Sequence, residues 1–418
     1  MRKRPSAARG KKSEPGEPGC IAQPAQKLRR PRIRRKQPEG SEMVRPQGGS
    51  PRRPSSIGCS APLEALDDDV SEPHEPWFFQ RALRDLCLHR SCPSPPPLHS
   101  RVDRPWENGV AMHRYISWCS MWKYDDKEHG CVIAKVMTKD DRQGSIDVIF
   151  LQEVDLLSRL RGHPNIVRMV DTYATHDEVV LVTQYGGIDL HHLLHKSTVK
   201  VEEPYHGWIA LLWGLLRGLS YMHQKDVVHA DLKPCNVVVD DKNVLRIIDV
   251  GLSWVDRPGL RPTIQDACDP TELGSLRFMT AVYRSPEVYL CDPNFGKPMD
   301  MWGVGCIVLE MWILKPLVSF EKKSHLDIVK EIFGQCSVQA NDALAYFHRL
   351  PAWRDSMGKV SYPVPNALGP RLDACQVPAW VRDYICEGLL VVHPLHRMKV
   401  WAACHRLSAM RNQLEGHS

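Results

Sequence analysis

The apolar pattern of this chain changes period at one place, the glycine pair Gly186–Gly187, and that change limits the fold more than any other feature. Before it, "GCVIAKVM" after a Gly turn and "EVVLVTQY" read as strands. Between them "IDVIFLQEVDLLSRLRG" reads as an amphipathic helix ending near Gly162. After the glycine pair the pattern turns helical. "YHGWIALLWGLLRGLSYMHQ" is long enough for a core helix, and "MDMWGVGCIVLEMWIL" suits a second, fully buried one. A strand-rich part and a helical part joined through a Gly-Gly hinge predict an α+β body of two lobes with a cleft between them.

The body does not begin at the first residue. Residues 1–54 hold sixteen Lys/Arg and four Asp/Glu, a net of +12 against +6 for the whole chain, which leaves −6 for the rest. Residues 1–75 are rich in Pro, Gly, Ser and Arg with no apolar period, so they cannot bury enough surface to offset ordering entropy, and disorder is expected. Within them "KLRRPRIRRK", Lys27 to Lys36, fits a nuclear import signal or an anionic partner, with a solvated charge run as the plain alternative. "RRPSS", ending in Ser55 and Ser56, is a weak phosphorylation signal. In 76–104, "WFFQRALRDLCLHR" spaces Phe78, Phe79, Ala82, Leu83 and Leu86 as an amphipathic helix, and the Pro-rich linker "CPSPPPLHS" follows. The folded body is expected over 105–408, with lobes 105–185 and 186–408, and 409–418 as a tail.

The longest apolar runs are about half the ~20 residues of a membrane span, and the basic, polar N-terminus has no apolar region behind it. A soluble intracellular protein is expected, in the nucleus, the cytoplasm or both. The fourteen cysteines form no CxxC pair and read as reduced structural thiols. "CLHRSC" lacks a second ligand pair at zinc spacing. No base-reading element accompanies the basic run, so nucleic acid is not the expected partner, and a monomer is expected.

The stretch "VVHADLKPCNVVV", Val227 to Val239, sets His229, Asp231, Lys233 and Asn236 between β-branched apolar flanks. A polar hairpin with turn residues would account for it alone, but "IIDVGLS" and "YRSPE" follow in order. Together these motifs resemble a eukaryotic protein kinase over roughly 300 residues, Trp106 to about Leu407. "HADLKPCN" resembles the catalytic loop, "IIDVGLS" the metal-binding turn, and "YRSPE" the end of the activation segment.

The resemblance implies an ATP- and Mg²⁺-dependent Ser/Thr kinase acting on protein substrates, with a regulatory protein partner possible in principle. Asp231 would accept the hydroxyl proton, Lys233 would approach the transferring phosphate, and Asn236 and Asp249 would hold metal. Lys135, at the end of "VIAK", would bridge the α- and β-phosphates, held by Glu153. In "LVTQYGGIDL", Thr183 would guard the rear of the adenine pocket, Gln184, Tyr185 and Gly186 would form the hinge edge, and Asp189 would meet the ribose. Glu287 should pair with Arg397, and Asp300 should hold the catalytic loop's backbone. "TAVYRSPEVYL" looks like the group of cyclin-dependent and mitogen-activated kinases, where Arg284 would favour Pro after the target residue, and Ser275 stands where that group carries an activating phosphate.

This chain departs from the pattern at several positions. No Gly-rich loop precedes the Lys135 strand, where only Gly109 and Gly130 occur, and Trp118 or Trp122 is positioned to enter the phosphate space. Ile133 replaces Ala on the adenine roof, Ala230 replaces the Arg that binds the activation phosphate, and Val250 replaces Phe. Two readings follow: an active kinase, since every charged catalytic position is filled, and a pseudokinase scaffold with weak or no nucleotide binding. A small-molecule phosphotransferase of related fold would not be expected to carry "YRSPE".

Overall fold

The computed structural model describes residues 99–100, 103–116, 119–138, 148–196, 204–257, 261–262, 279–319, 325–336, 345–350, 352–353 and 367–415. The basic cluster 27–36, Ser55 and Ser56, the helix expected after residue 76, Trp118 and Ser275 lie outside them.

The N-terminal lobe is a six-stranded sheet. Its strands are β1 (His99–Ser100), β2 (Val110–Ile116), β3 (Cys119–Asp126), β4 (Gly130–Thr138), β5 (Met169–Ala174) and β6 (Glu178–Gln184), in the order β1-β5-β6-β4-β3-β2. All neighbours are antiparallel except β1, which runs parallel to β5. That first strand falls inside the segment read as linker.

Period 2 sorts β4 between two cores. Val132, Ala134 and Val136 pack outward with Trp106 and Tyr124, while Met137 joins the main core with the helix α1 (Val148–Arg159). Phe150, Leu151, Val154 and Leu157 form the buried stripe of α1 at helical spacing. The helix ends three residues before Gly162, which occupies the turn at φ 93°.

Past β6 the chain crosses to the second lobe through β7 (Ile188–Asp189), α2 (Leu190–His195) and α3 (Pro204–Gln224). Gly187 sits at φ 113°, and an added Cβ would land on the Val239 carbonyl, so no other residue fits this crossing. Helix α3 buries Leu211, Leu212, Leu215, Leu216, Leu219 and Met222 on one face. Short strands follow: β8 (Val227–Val228), β9 (Val237–Val239), β10 (Leu245–Ile247) and β11 (Trp254–Val255). Strand β9 lies between β7 and β10, and β11 pairs with β8.

The remaining helices are α4 (Pro286–Tyr289), α5 (Lys297–Ile313), α6 (His325–Gln335), α7 (Leu368–Ala374), α8 (Ala379–Asp383) and α9 (Val400–Glu415). Every residue of α5 from Met299 to Met311 is buried, as its all-round apolar sequence requires. At Gly303 an added Cβ would lie 2.8 Å from Leu232 Cβ and 2.9 Å from Leu232 O, so the polar loop rests directly on this helix's backbone. Among the described residues no helix is long and apolar enough to cross a membrane.

Candidate active site

The upper wall of the cleft is built from β4 and α1. Lys135 Nζ lies 2.6 Å from Glu153 Oε2 and 3.6 Å from Asp249 Oδ1. Burial alone would depress the Lys135 ammonium, but the two carboxylates more than offset it and hold its pKa above the ordinary lysine value. Asp249 is held below the usual carboxylate range, chiefly by Lys135 and against the effect of burial. Its φ of 59° turns the half-exposed carboxylate toward that ammonium.

The lower wall is the loop between β8 and β9. Asp300 of α5 accepts the backbone N–H groups of His229 and Ala230, both at 2.9 Å, and its Oδ2 lies 2.8 Å from His223 Nε2. This fixes Ala230 at φ 67°, a left-handed conformation costing an L-residue roughly 1–2 kcal/mol, and carries the chain into Asp231. Asp231 is buried, and its oxygens are fully engaged. Oδ1 accepts Thr280 N–H at 2.7 Å and Thr280 Oγ1 at 3.0 Å; Oδ2 accepts Lys233 Nζ at 2.7 Å and Asn236 Nδ2 at 3.2 Å. Lys233 also donates to Thr280 Oγ1 at 2.7 Å. Burial would lower the Lys233 pKa, but the Asp231 charge and hydrogen bond raise it. Thr280 was not singled out from the sequence, where its one signal is that it is the last hydroxyl residue before "YRSPE".

Strands β9 and β10 are antiparallel and bring Asn236 and Asp249 side by side, as expected; Ile248 N–H donates to Asn236 O at 3.0 Å. The Asn236 amide nitrogen is spent on Asp231, which leaves its oxygen, with the Asp249 carboxylate, as hard donors that fit a Mg²⁺-like cation. The Lys135 ammonium above them fits a phosphate.

The hinge side is more altered. Thr183 pairs with Ile133 across β6 and β4, and the Ile133 side chain is buried on the face that also carries Lys135. Tyr185 N–H donates to Cys131 O at 3.0 Å, and Gln184 N–H to Arg168 O at 2.9 Å. Gly186 lies so close to Val238 of β9 that an added Cβ would come within 2.5 Å of its Cγ2. Lys123 Nζ sits 3.8 Å over the Tyr185 ring, joining roof to hinge. Asp189 caps α2 by accepting His192 N–H at 2.8 Å.

Trp122, one of the two tryptophans considered for the phosphate space, does not enter it. It pairs with Ala134, on the face opposite Lys135, packs against the outer core and donates from Nε1 to Ser120 Oγ at 3.0 Å. The turn that joins the paired residues Ile116 and Cys119 has no glycine in its sequence, and register shifts interrupt β2 at Ala111/His113 and Arg114/Ile116.

Two supports complete the lower lobe. Arg397 meets Glu287 through Nη1 at 2.7 Å and Nη2 at 3.0 Å, both side chains fully buried, so the expected pair is formed. Beside the catalytic loop, Ala230, Trp254, Met279 and Phe295 belong to one apolar cluster, with Trp254 edge-on to Phe295 at 5.5 Å. Met279 N–H donates to Ala230 O at 3.0 Å.

Comparison with known proteins agrees with this geometry. The protein kinase domain family matches residues 120–401. "Mitogen-activated protein kinase mpkC" of Emericella nidulans is 33% identical over 215 residues, 50% of this chain and 47% of that protein. "Serine/threonine-protein kinase crk1" of Schizosaccharomyces pombe is 30% identical over 221 residues, 52% of this chain and 60% of that protein. "Cyclin-dependent kinase 11.1" of Caenorhabditis elegans is 27% identical over 282 residues, 67% and 37% of the two chains. The chain thus spans less than two thirds of the length of each of these relatives. With more than half of its length matched, and with relatives named as cyclin-dependent and mitogen-activated kinases, the chain belongs to the protein kinase domain family, on the cyclin-dependent and mitogen-activated side of it.

Proposed function

We propose that this chain is a protein serine/threonine kinase that uses ATP and Mg²⁺. The observation that carries the reading is the Asp231 carboxylate, held at once by Thr280, Lys233 and Asn236 beneath an intact Lys135–Glu153 pair. Phosphoryl transfer asks for alignment and charge compensation more than covalent help. Bound Mg·ATP supplies the transferable group and offsets part of its charge. Asp231 would accept the substrate hydroxyl proton as that oxygen bonds to the γ-phosphorus and the bond to the departing ADP oxygen breaks, and Lys233 would compensate the charge beside it. Lys135 fixes the phosphates, with Glu153 setting its position. Thr183, Gln184, Tyr185 and Gly186 border the base, and Asp189 borders the ribose.

The substrate groove favours Pro after the target residue. Met279 stands at φ 60°, and its carbonyl accepts Arg284 Nη2 at 2.8 Å. That carbonyl is already engaged by Arg284, so a substrate residue with no N–H to satisfy loses least there.

The test is transfer by the full chain to Ser-Pro and Ser-Ala peptides with Mg·ATP. Asp231→Asn is expected to lower the rate by at least about two orders of magnitude. Arg284→Ala is expected to narrow the Pro/Ala ratio. Equal transfer by wild type and Asp231→Asn would overturn the proposal. The absence of a Gly-rich loop from the sequence before β4 favours a second reading, a pseudokinase scaffold. It predicts no rise in melting midpoint with Mg·ATP, whereas a ligand that binds only the folded state must raise it.

A further inference from the structure

Asp189, which the kinase reading sets against the ribose, stands in a group of side chains whose combined chemistry that reading does not use. The Asp189 carboxylate, the His191 ring and the Cys235 thiol each offer a donor atom, and the three atoms lie within 4.8 Å of one another. They come from two elements that the fold locks together. Asp189 and His191 open the α2 segment, and Cys235 lies in the 3-10 turn Pro234–Asn236 that follows Lys233. Pairing of Asp189 with Val238 and of Ile188 with Val239 ties the first element to the strand that leaves the second. The donors are therefore held in place by backbone ladders and not by flexible loops.

The donor set selects the metal. A thiolate and an imidazole disfavour Mg²⁺ and Ca²⁺, which take oxygen, and suit Zn²⁺, which takes sulfur, nitrogen and a carboxylate oxygen at roughly 2.0–2.3 Å. Tetrahedral geometry at those bond lengths brings donors to about 3–4 Å of one another, a contraction of about 1 Å that side-chain rotation supplies. Asp189 spends one oxygen, Oδ1, on its helix cap, and the carboxylate has a second. Behind the site, His195 is tilted against the His191 ring at 4.7 Å and lies 3.4 Å from the buried Glu310 carboxylate, a pairing that restrains how the His191 ring can turn. All three donors are half-buried, which leaves an approach from the cleft.

We propose that Asp189, His191 and Cys235 form a Zn²⁺ site with three protein ligands and one open position, and that zinc bound there obstructs nucleotide entry. The binding claim stands on the donor geometry alone; the obstruction claim rests on the kinase reading, in which Asp189 borders the ribose.

Cobalt is the probe, since a cysteinate–Co²⁺ bond gives a near-ultraviolet charge-transfer band. Co²⁺ is titrated into the reduced full-length chain and then displaced with Zn²⁺. The expected result is a saturable band that zinc removes, absent in Cys235→Ser and shifted to more than about a hundredfold higher cobalt in His191→Ala, beyond what loss of a supporting partner alone gives. A band of equal strength in Cys235→Ser, or none in wild type, overturns the site. In parallel, zinc is expected to reduce the Mg·ATP-dependent rise in melting midpoint of wild type and to leave that of His191→Ala unchanged. Equal reduction in both overturns the obstruction claim. A chain whose midpoint ignores Mg·ATP refutes the kinase reading, while the cobalt spectrum still decides the metal site.

Discussion

Arg397 and Glu287 are 110 positions apart, yet each satisfies the other in a place water does not reach. Removing one partner strands a buried charge, so Arg397→Met is expected to lower the unfolding free energy by about 3–5 kcal/mol, read as a fall in urea midpoint at constant slope. At Gly303 the limit is space: Gly303→Ala drives a methyl into Leu232, and a cost of about 1–3 kcal/mol is expected together with lost transfer, because the loop carrying Asp231 must shift. Single residues were legible where chemistry and spacing agree. Asp231 and Asn236 sit in one short motif and share a hydrogen bond, and Asp249 follows the strand that pairs with β9. Thr280 was not legible, since its bond to Asp231 spans 49 residues and depends on the path of a segment with no period of its own. Trp122 was misplaced for a different reason. A strand residue's face is a matter of parity, and parity is set by the hairpin register, which here pairs Trp122 with Ala134 and not with Lys135.

Among the elements, α3 and α5 were readable because a buried stripe, or an all-round apolar helix, has few other places to go. Strand β1 was not, because two residues in a Pro-rich stretch carry no alternation and form a strand only by pairing with β5. The most consequential element is β11. It carries Trp254, whose edge meets Phe295 in the cluster that surrounds Ala230. In place of a cation awaiting a phosphate, the loop's flank is fixed by apolar packing and by the bond from Met279 to Ala230. Trp254→Ala is expected to cost about 3–5 kcal/mol and most of the transfer activity, measured by urea unfolding and peptide assay. Ser275→Ala is expected to leave the transfer rate unchanged; a loss of activity, restored by a Ser275 phosphate in wild type, would contradict the apolar anchor.

At the scale of the molecule, charge is divided between an N-terminal stretch of net +12 over residues 1–54 and a remainder of −6. We propose that the basic stretch directs the protein to the nucleus, and that removing residues 1–54 disperses a fluorescent fusion into the cytoplasm; an unchanged distribution would refute it. The two-lobed body was legible from the change of period at Gly186–Gly187. The alanine at position 230 has a further consequence at this scale. On the kinase reading proposed above, an upstream kinase that adds a phosphate to the activation segment finds no charge at position 230 to meet it.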